Sequence, residues 1–267
     1  MLVSTSGYYY WKGSLVSERS KRDDYILLKI IRSFRDSKQR YGSPRVYEDL
    51  LAEGIKCGVN KVAKVMRKHG LRAVTSVRHK KAQAAKNRHG LGENILNRNF
   101  QATKPNQKWV SDTTFVRTTQ GWLYLATVID LYTRKVVGWS MSDANDTALV
   151  TQALIMAVAS KKRKQEVLLH SDQGSTYRAA AYLELFNKYH ITQSMSRKGK
   201  CHDNAVAESF FSTLKNELVY QNSYKTREQA RSSIFEYIEV FYNRERRHSY
   251  LNYQSPLNFE RAHYNTV

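Results

Sequence analysis

The sequence predicts an α/β domain built on a mixed sheet, preceded by a small all-helical module. Three observations carry that expectation. Beyond Pro105, β-branched and aromatic runs at 109–116, 122–130 and 135–141 are joined by short turns at Thr118-Thr-Gln-Gly121 and Leu131-Tyr-Thr-Arg134, which implies an antiparallel meander. Helical and strand patterns then alternate as far as a helix from about Ala205. Before Pro105 the apolar periodicity is helical and the charge strongly basic.

In the front part, residues 25–40 place Ile26, Leu27, Ile30, Ile31 and Phe34 at helical spacing. Tyr41-Gly42 reads as a turn, with Ser43 as the next N-cap and Pro44 at the first helical position. That helix carries Val46, Tyr47, Leu50 and Leu51 and ends near Gly54. A third, from about Asn60, turns Val62, Val65 and Met66 inward and stops at Gly70, a favourable C′ residue. Lys61, Lys64, Arg67 and Lys68 crowd its remaining surface. Three short helices with a basic last one read as a helix-turn-helix-like module, the alternative being a plain helical mini-domain with a charged exterior. Arg45, Lys61, Lys64 and Arg67 are its candidate DNA contacts. From Val77 to about Arg98 the chain is basic and poor in large apolar residues, a linker able to track phosphates.

In the back part the meander is followed by a helix over Thr147–Ala159, a buried strand over Val167–Ser171, a helix over Tyr177–Tyr189 and a strand over Ile191–Met195. Helical patterns resume from about Ala205. Thr226-Arg-Glu-Gln229 is a capping-box pattern opening a helix with Ala230, Ile234, Ile238 and Phe241 inward. The boundaries follow: an N-terminal tail over 1–24, the helical module over 25–72, the basic linker over 73–105, the α/β core over 106–222, and a C-terminal helix with a basic tail over 223–267.

Among 267 residues, 44 Lys and Arg face 23 Asp and Glu, a net charge of +21. The excess is uneven, 23 against 8 in residues 1–105 and 21 against 15 in residues 106–267. A chain so charged calls for a polyanionic partner, and the front part is where nucleic acid is expected. No apolar run approaches the ~20 residues of a membrane span, and no basic stretch leads into an apolar one at the N-terminus. Cys57 and Cys201 make neither a disulfide framework nor a CxxC pair, so a reducing cytoplasm is the expectation.

Against this basic background, three acids stand where a DNA-binder has no need of them. Asp112 lies inside the first strand, where an unpaired carboxylate is costly. Asp172 follows the strand Val167–Ser171 and precedes Gln173-Gly174, at the carboxyl end where α/β sheets bind ligands. Glu208 falls in the first turns of a helix that either Asp203 or Asn204 caps, and Lys215 lies two turns further along the same face. Three carboxylates from separate elements are candidates to bind a hard divalent cation for phosphoryl chemistry. Asp130 is an alternative for either aspartate, although its position before Tyr132-Thr-Arg134 favours a turn role. His170 and His202 flank carboxylates without a metal or base geometry. Ser171 and Cys201 lack a base arranged for nucleophilic catalysis.

Trp109-x-x-Asp112-x-Thr114, Gly121-Trp-Leu-Tyr-Leu-Ala126, Val128-Ile-Asp130, Arg134-Lys-Val-Val-Gly-Trp139, His170-Ser-Asp172-Gln-Gly174 and Asp203-Asn-Ala-x-x-Glu208-Ser-Phe-Phe211 together resemble a retroviral-integrase-like DDE transposase. More closely, they are similar to the OrfB product of insertion sequences that encode their transposase in two overlapping frames. The 35 residues between Asp172 and Glu208 match the family's spacing, and Lys215 matches its basic residue seven positions later. Tyr242-Asn-Arg244-x-Arg246-Arg247-His248 near the C-terminus, and Tyr41-Gly42-Ser-Pro-Arg45 with His69-Gly70-Leu71 near the N-terminus, extend the resemblance over nearly the whole chain.

The resemblance implies a ribonuclease-H-like core in which Asp112, Asp172 and Glu208 are catalytic and bind two Mg²⁺ (or Mn²⁺) ions. Water would attack the terminal phosphodiester and free a 3′-OH, which would then attack a second phosphodiester with no covalent enzyme intermediate. Lys215, Lys198 and Lys200 are expected near the scissile phosphate, and Arg244 and Arg247 on DNA further out. The implied partners are double-stranded DNA, as terminal inverted repeats and target, a second copy of the chain, and the upstream-frame protein or its frameshift fusion. No membrane is implied, and the location is the bacterial cytoplasm at the nucleoid. The His-His-Cys-Cys zinc module of retroviral integrases is not reproduced by the two cysteines, so zinc is not expected.

Overall fold

The computed structural model describes residues 4–13, 17–74, 93–161, 166–197 and 201–266. They divide between two compact units, Met1–Thr75 and Ser76–Val267.

The first unit contains α1 (Thr5–Gly13), α2 (Glu18–Asp36), α3 (Ser43–Ala52) and α4 (Val59–Lys68). The stretch expected as a tail over 1–24 is therefore largely helical. α2 begins at Glu18 because Ser17 caps it, its hydroxyl accepting the Ser20 N–H at 3.1 Å. Its first two turns are polar, so the apolar period that starts at Ile26 could not mark them. Ile26, Ile30 and Phe34 of α2 are buried, as are Val46 and Leu50 of α3, Val62 and Met66 of α4, and Tyr41 between α2 and α3. Leu51 is exposed, since it lies ~100° around the helix from Leu50. The N-cap of α3 is Gly42 rather than Ser43, with Pro44 in the first turn. α4 ends in a Schellman turn, where Gly70 adopts φ +67° and Leu71 N–H reaches the Met66 carbonyl at 2.9 Å.

The second unit is built on five strands: β1 (Lys108–Thr118), β2 (Gly121–Asp130), β3 (Val136–Ser142), β4 (Val167–Ser171) and β5 (Ile191–Met195). Their order is β3-β2-β1-β4-β5; β1, β2 and β3 form the antiparallel meander, and β4 and β5 run parallel to β1. This is the ribonuclease-H-like sheet that the resemblance implied. α5 (Thr147–Ala159) and α6 (Ala180–Tyr189) help close a core containing Trp109, Val128, Leu154, Leu169, Tyr182 and Phe186. Helix and sheet meet closely at Gly138, where an added Cβ would stand 2.2 Å from the Ala153 carbonyl oxygen. The helix expected over Tyr177–Tyr189 starts later, because Ser175–Arg178 forms a 3₁₀ turn that buries Tyr177.

α7 (Ala205–Glu217) packs on β1, and α8 (Arg227–Phe235) on β1 and β2. The capping box of α8 is formed, with Thr226 and Gln229 exchanging their bonds. The helix continues in π form over Glu236–Tyr242, and Ala230, Ile234, Ile238 and Phe241 are all buried. Asn243 then closes the outer edge of β3, accepting the Val136 N–H and donating to its carbonyl, both at 3.0 Å. α9 (Pro256–Thr266) ends the chain, so residues 223–266 are built into the sheet unit. The expected linker over 73–105 is structured from Glu93, whose carbonyl accepts the Met195 N–H of β5 at 2.9 Å.

Candidate active site

β1 outruns β4 at the sheet's carboxyl end. Trp109 pairs with Leu169 and Val110 with His170, so the same parallel register carried two residues further sets Asp112 level with Asp172. Adjacent strands lie ~4.8 Å apart. The two carboxylates consequently feel each other. Burial, and next the charge of Asp172, push the Asp112 carboxyl up to about 7; the Thr113 N–H, bonded to its Oδ1 at 2.8 Å, opposes the rise. Glu208 adds a weaker push and Lys215 a weaker pull. Asp112, Asp172, Glu208 and Lys215 thus share one electrostatic neighbourhood. Lys215 is half-buried, and that burial lowers its ammonium pKa while the charge of Asp112 raises it.

Asp172 is exposed, and its Oδ1 accepts the Gly174 N–H at 2.9 Å. A Cβ on Gly174 would stand 2.9 Å from that oxygen, so only glycine leaves the carboxylate where it is. Glu208 comes from the first turns of α7, whose inner side buries Ala207, Phe210, Phe211 and Leu214. The helix start is fixed by two neighbours with different roles. Asn204 is the N-cap residue, and its side-chain amide donates to the Ser111 carbonyl at 3.1 Å. Asp203 is the buried centre of an ion-pair cluster: Arg197 reaches it through Nε (2.9 Å), Nη2 (3.0 Å) and its backbone N–H (3.0 Å), Arg98 through Nε (2.7 Å) and Asn94 through Nδ2 (2.9 Å). Bonds from Arg197 and then Arg98 hold its carboxyl well below the usual carboxylate range. The sequence offers Asp203 only as a cap; its role depends on Arg197, six positions earlier, and on Arg98 and Asn94, more than a hundred positions away.

Asp130 has the turn role. It accepts from the N–H groups of Asn106 and Thr133 (both 2.9 Å) and from the Thr133 hydroxyl (2.6 Å). His170 bridges two serines, Ser194 at 2.8 Å and Ser196 at 3.0 Å, and burial lowers its pKa to about 4. It is a neutral tie between β4 and the end of β5.

The donor set of Asp112, Asp172 and Glu208 is all hard oxygen, which suits Mg²⁺ or Mn²⁺, and a divalent cation would relieve the repulsion between the aspartates. Among the described residues, no three His, Cys, Asp or Glu groups are gathered closely enough to cage an ion. The fit therefore rests on donor chemistry and on the Asp112–Asp172 pair, with Glu208 acting from α7.

Known proteins carry the same two kinds of domain. Residues 102–201 and 189–256 match two Integrase core domain families, and residues 21–81 match an HTH-like domain. The chain is 42% identical over 262 residues to the Escherichia coli (strain K12) "Transposase InsF for insertion sequence IS3A", covering 97% of this chain and 90% of that one. The chain belongs to the insertion-sequence transposase family. A second relative, the "Insertion element IS600 uncharacterized 31 kDa protein" of Shigella sonnei, is 38% identical, covering 98% of this chain and 96% of its own. A solved structure, "Structure of the HTLV-2 integrase catalytic core domain in complex with magnesium (trimeric form)", aligns at 14% identity with a TM-score of 0.46, covering 60% of this chain and 99% of that one.

In this transposase-family chain the candidate DNA contacts meet different fates. Lys64, Arg67 and Lys68 form an exposed basic stripe on α4, at positions three and four apart. Lys61 is instead bound to Asp23 of α2. The Arg45 guanidinium sits 5.7 Å from the Tyr41 ring centroid. Arg244 is exposed, whereas half-buried Arg247 donates to the Tyr253 carbonyl at 3.2 Å. Arg246 points inward and pairs with Glu217 at 2.7 Å, joining the segment after α8 to the end of α7. Lys198 and Lys200 lie outside the described residues. Among the described residues, no helix is long and apolar enough to cross a membrane.

Proposed function

We propose that this chain cleaves and joins DNA strands at insertion-sequence ends, with Asp112, Asp172 and Glu208 as its catalytic carboxylates. The observation that supports this most is the electrostatic coupling of Asp112 to Asp172, Glu208 and Lys215 at one end of the sheet. The three carboxylates would hold two Mg²⁺ or Mn²⁺ ions, and the chemistry such ions supply is charge stabilisation on the phosphate and a more acidic water.

The protein's own groups do the positioning. The Thr113 and Gly174 N–H groups fix one oxygen of each aspartate. Lys215 offers a cation to a phosphate oxygen beside them. The α4 stripe, Arg45 and Arg244 hold duplex DNA, with Lys198 and Lys200 near the cut phosphate. In each step an oxygen nucleophile attacks in line, first water and then the freed 3′-OH, and the opposite P–O bond breaks. The substrates are the terminal inverted repeats and target DNA. A second copy of the chain brings the other end, and the upstream-frame protein or its frameshift fusion completes the assembly in the cytoplasm, at the nucleoid.

The test is single-turnover cleavage and joining of element-end duplex by the full chain. Activity should need Mg²⁺ or Mn²⁺ and vanish in excess EDTA. Asp172→Asn should lose it while keeping its affinity for the duplex. Full activity of that variant would overturn the assignment.

A further inference from the structure

Where β1 and β2 extend past the end of β4, their hairpin carries aromatic rings outside the carboxylate site. Phe115 and Trp122 stand edge to face with centroids 5.0 Å apart, and Tyr124, cross-strand from Phe115, lies at 6.5 Å. Phe115 is 51% exposed and Trp122 44%. Two large rings left side by side in water forgo a substantial hydrophobic gain, which is the mark of a binding surface.

Cations surround them. Lys215 Nζ lies 5.1 Å from the Phe115 centroid. Arg117, exposed, pairs cross-strand with Trp122, and Arg227 donates from Nε to the Trp122 carbonyl at 3.0 Å. This composition suits a polyanion that carries its own π-faces better than an apolar protein surface. Lys215 is also the cation coupled to Asp112, so the rings and the carboxylates share a residue. Phe115 lies three residues beyond Asp112, ~10 Å along the strand, where alternation starts the two side chains on opposite faces, so Lys215 is the group that lies near both.

We infer that Phe115 and Trp122 form a stacking subsite for unpaired DNA bases, adjoining the site that handles the phosphate. The inference rests on the strand-cleavage reading above. Aromatic rings take successive bases of any sequence on their faces while nearby cations follow the backbone, the usual economy of single-strand binding. The ligand class is therefore an unpaired DNA strand next to the phosphodiester being cut, and selectivity is for unpairing rather than for sequence.

The test uses the full chain, a duplex with unpaired bases at one end that include 2-aminopurine, and a blunt duplex of matching sequence. The unmodified protein should quench 2-aminopurine and favour the unpaired end by about tenfold. Phe115→Leu combined with Trp122→Leu should lose both the quenching and the preference while holding blunt duplex as before. Phe115→Tyr with Trp122→Phe, which keep the π-faces, should retain both. Should the double variant unfold, Trp122→Leu alone carries the same test at an exposed ring. Undiminished quenching in the leucine variant, or equal loss on both duplexes, overturns the subsite. Failure of the cleavage reading is distinguishable, because Asp172→Asn should abolish cutting yet leave the quenching intact.

Discussion

Asn204 donates from its side-chain amide to the carbonyl of Ser111 at 3.1 Å, fastening the start of α7 to β1 one residue before Asp112. The Ser111 hydroxyl in turn meets the Tyr177 hydroxyl at 3.1 Å. A single residue of β1 thus ties together the helix that carries Glu208 and the turn that follows Asp172. The position of Glu208 relative to β1 is therefore fixed through Asn204 and Ser111 at the base of α7.

Asn204→Ala should therefore separate activity from stability. Losing one buried hydrogen bond costs about 1 kcal/mol, readable in urea denaturation. Strand cleavage should fall by tenfold or more, since a displacement of ~1 Å at a reacting group costs ~100-fold. Cleavage undiminished at saturating Mg²⁺ would break the proposed link.

Gly174→Ala tests the other side of the site. The new Cβ would lie 2.9 Å from Asp172 Oδ1 and 3.6 Å from the Tyr177 ring, and the carboxylate is the group free to move. Melting temperature should hardly change, while cleavage drops about tenfold or more. A variant that unfolds would instead show that the turn, and not the carboxylate, bears the steric load.

Much of this design is legible in the chain itself, for reasons particular residues make clear. β4 opens on an apolar run and α5 is largely apolar, each bounded by polar turns, so burial pattern and boundary nearly coincide. Asp112 is conspicuous because an acid is costly inside a strand, and Asp172 because it stands at a strand's carboxyl end in a chain of net charge +21. The inward turn of Arg246 depends on Glu217, 29 positions earlier, which no local pattern announces. Lys61 reads as a DNA contact until Asp23 of α2 folds onto it. Asp203 looks like a cap because its pairing with Arg197 is completed by Arg98, 105 positions away. What sequence alone hides here is which of several equivalent cations a distant acid will claim.

Divalent-ion binding should depend on pH through Asp112. With its carboxyl pushed up to about 7, an ion must displace a proton below that pH. The Mg²⁺ concentration for half-maximal cleavage should rise about tenfold per pH unit between roughly 6.5 and 5, and level off above about 7.5. Asp112→Asn, lacking the titrating group, should show no cleavage at any pH. A flat Mg²⁺ requirement across that window would mean that Asp112 is not a ligand.

His170 should contribute a second pH effect, on stability. Its pKa falls from an ordinary 6.5 to about 4, so folding excludes a proton that the unfolded chain accepts. The stabilisation is whole above about 6.5, is lost as pH drops toward 4, and totals about 3 kcal/mol. Asp112 and Asp130, with values raised to about 7 and about 6, work in the opposite sense over the same interval. The observable is therefore the difference between the wild type and His170→Gln. Urea midpoints from pH 7 to pH 4.5 should decline less in the variant, and parallel curves would remove His170 from the account.

The basic stripe on α4 makes the last prediction, and it concerns slope rather than affinity at one salt concentration. Lys64, Arg67 and Lys68 project from one exposed face, whereas Lys61 beside them is bound to Asp23. Each phosphate contact lowers log K by about 0.9 per unit of log[salt]. Lys64→Ala and Arg67→Ala should each flatten that dependence by about one contact and weaken binding equally across DNA sequences. Lys61→Ala should leave the slope unchanged and act on stability, modestly, because its partner is partly exposed. A slope change from Lys61→Ala equal to that from Lys64→Ala would show that DNA displaces Asp23 and recruits the whole helix.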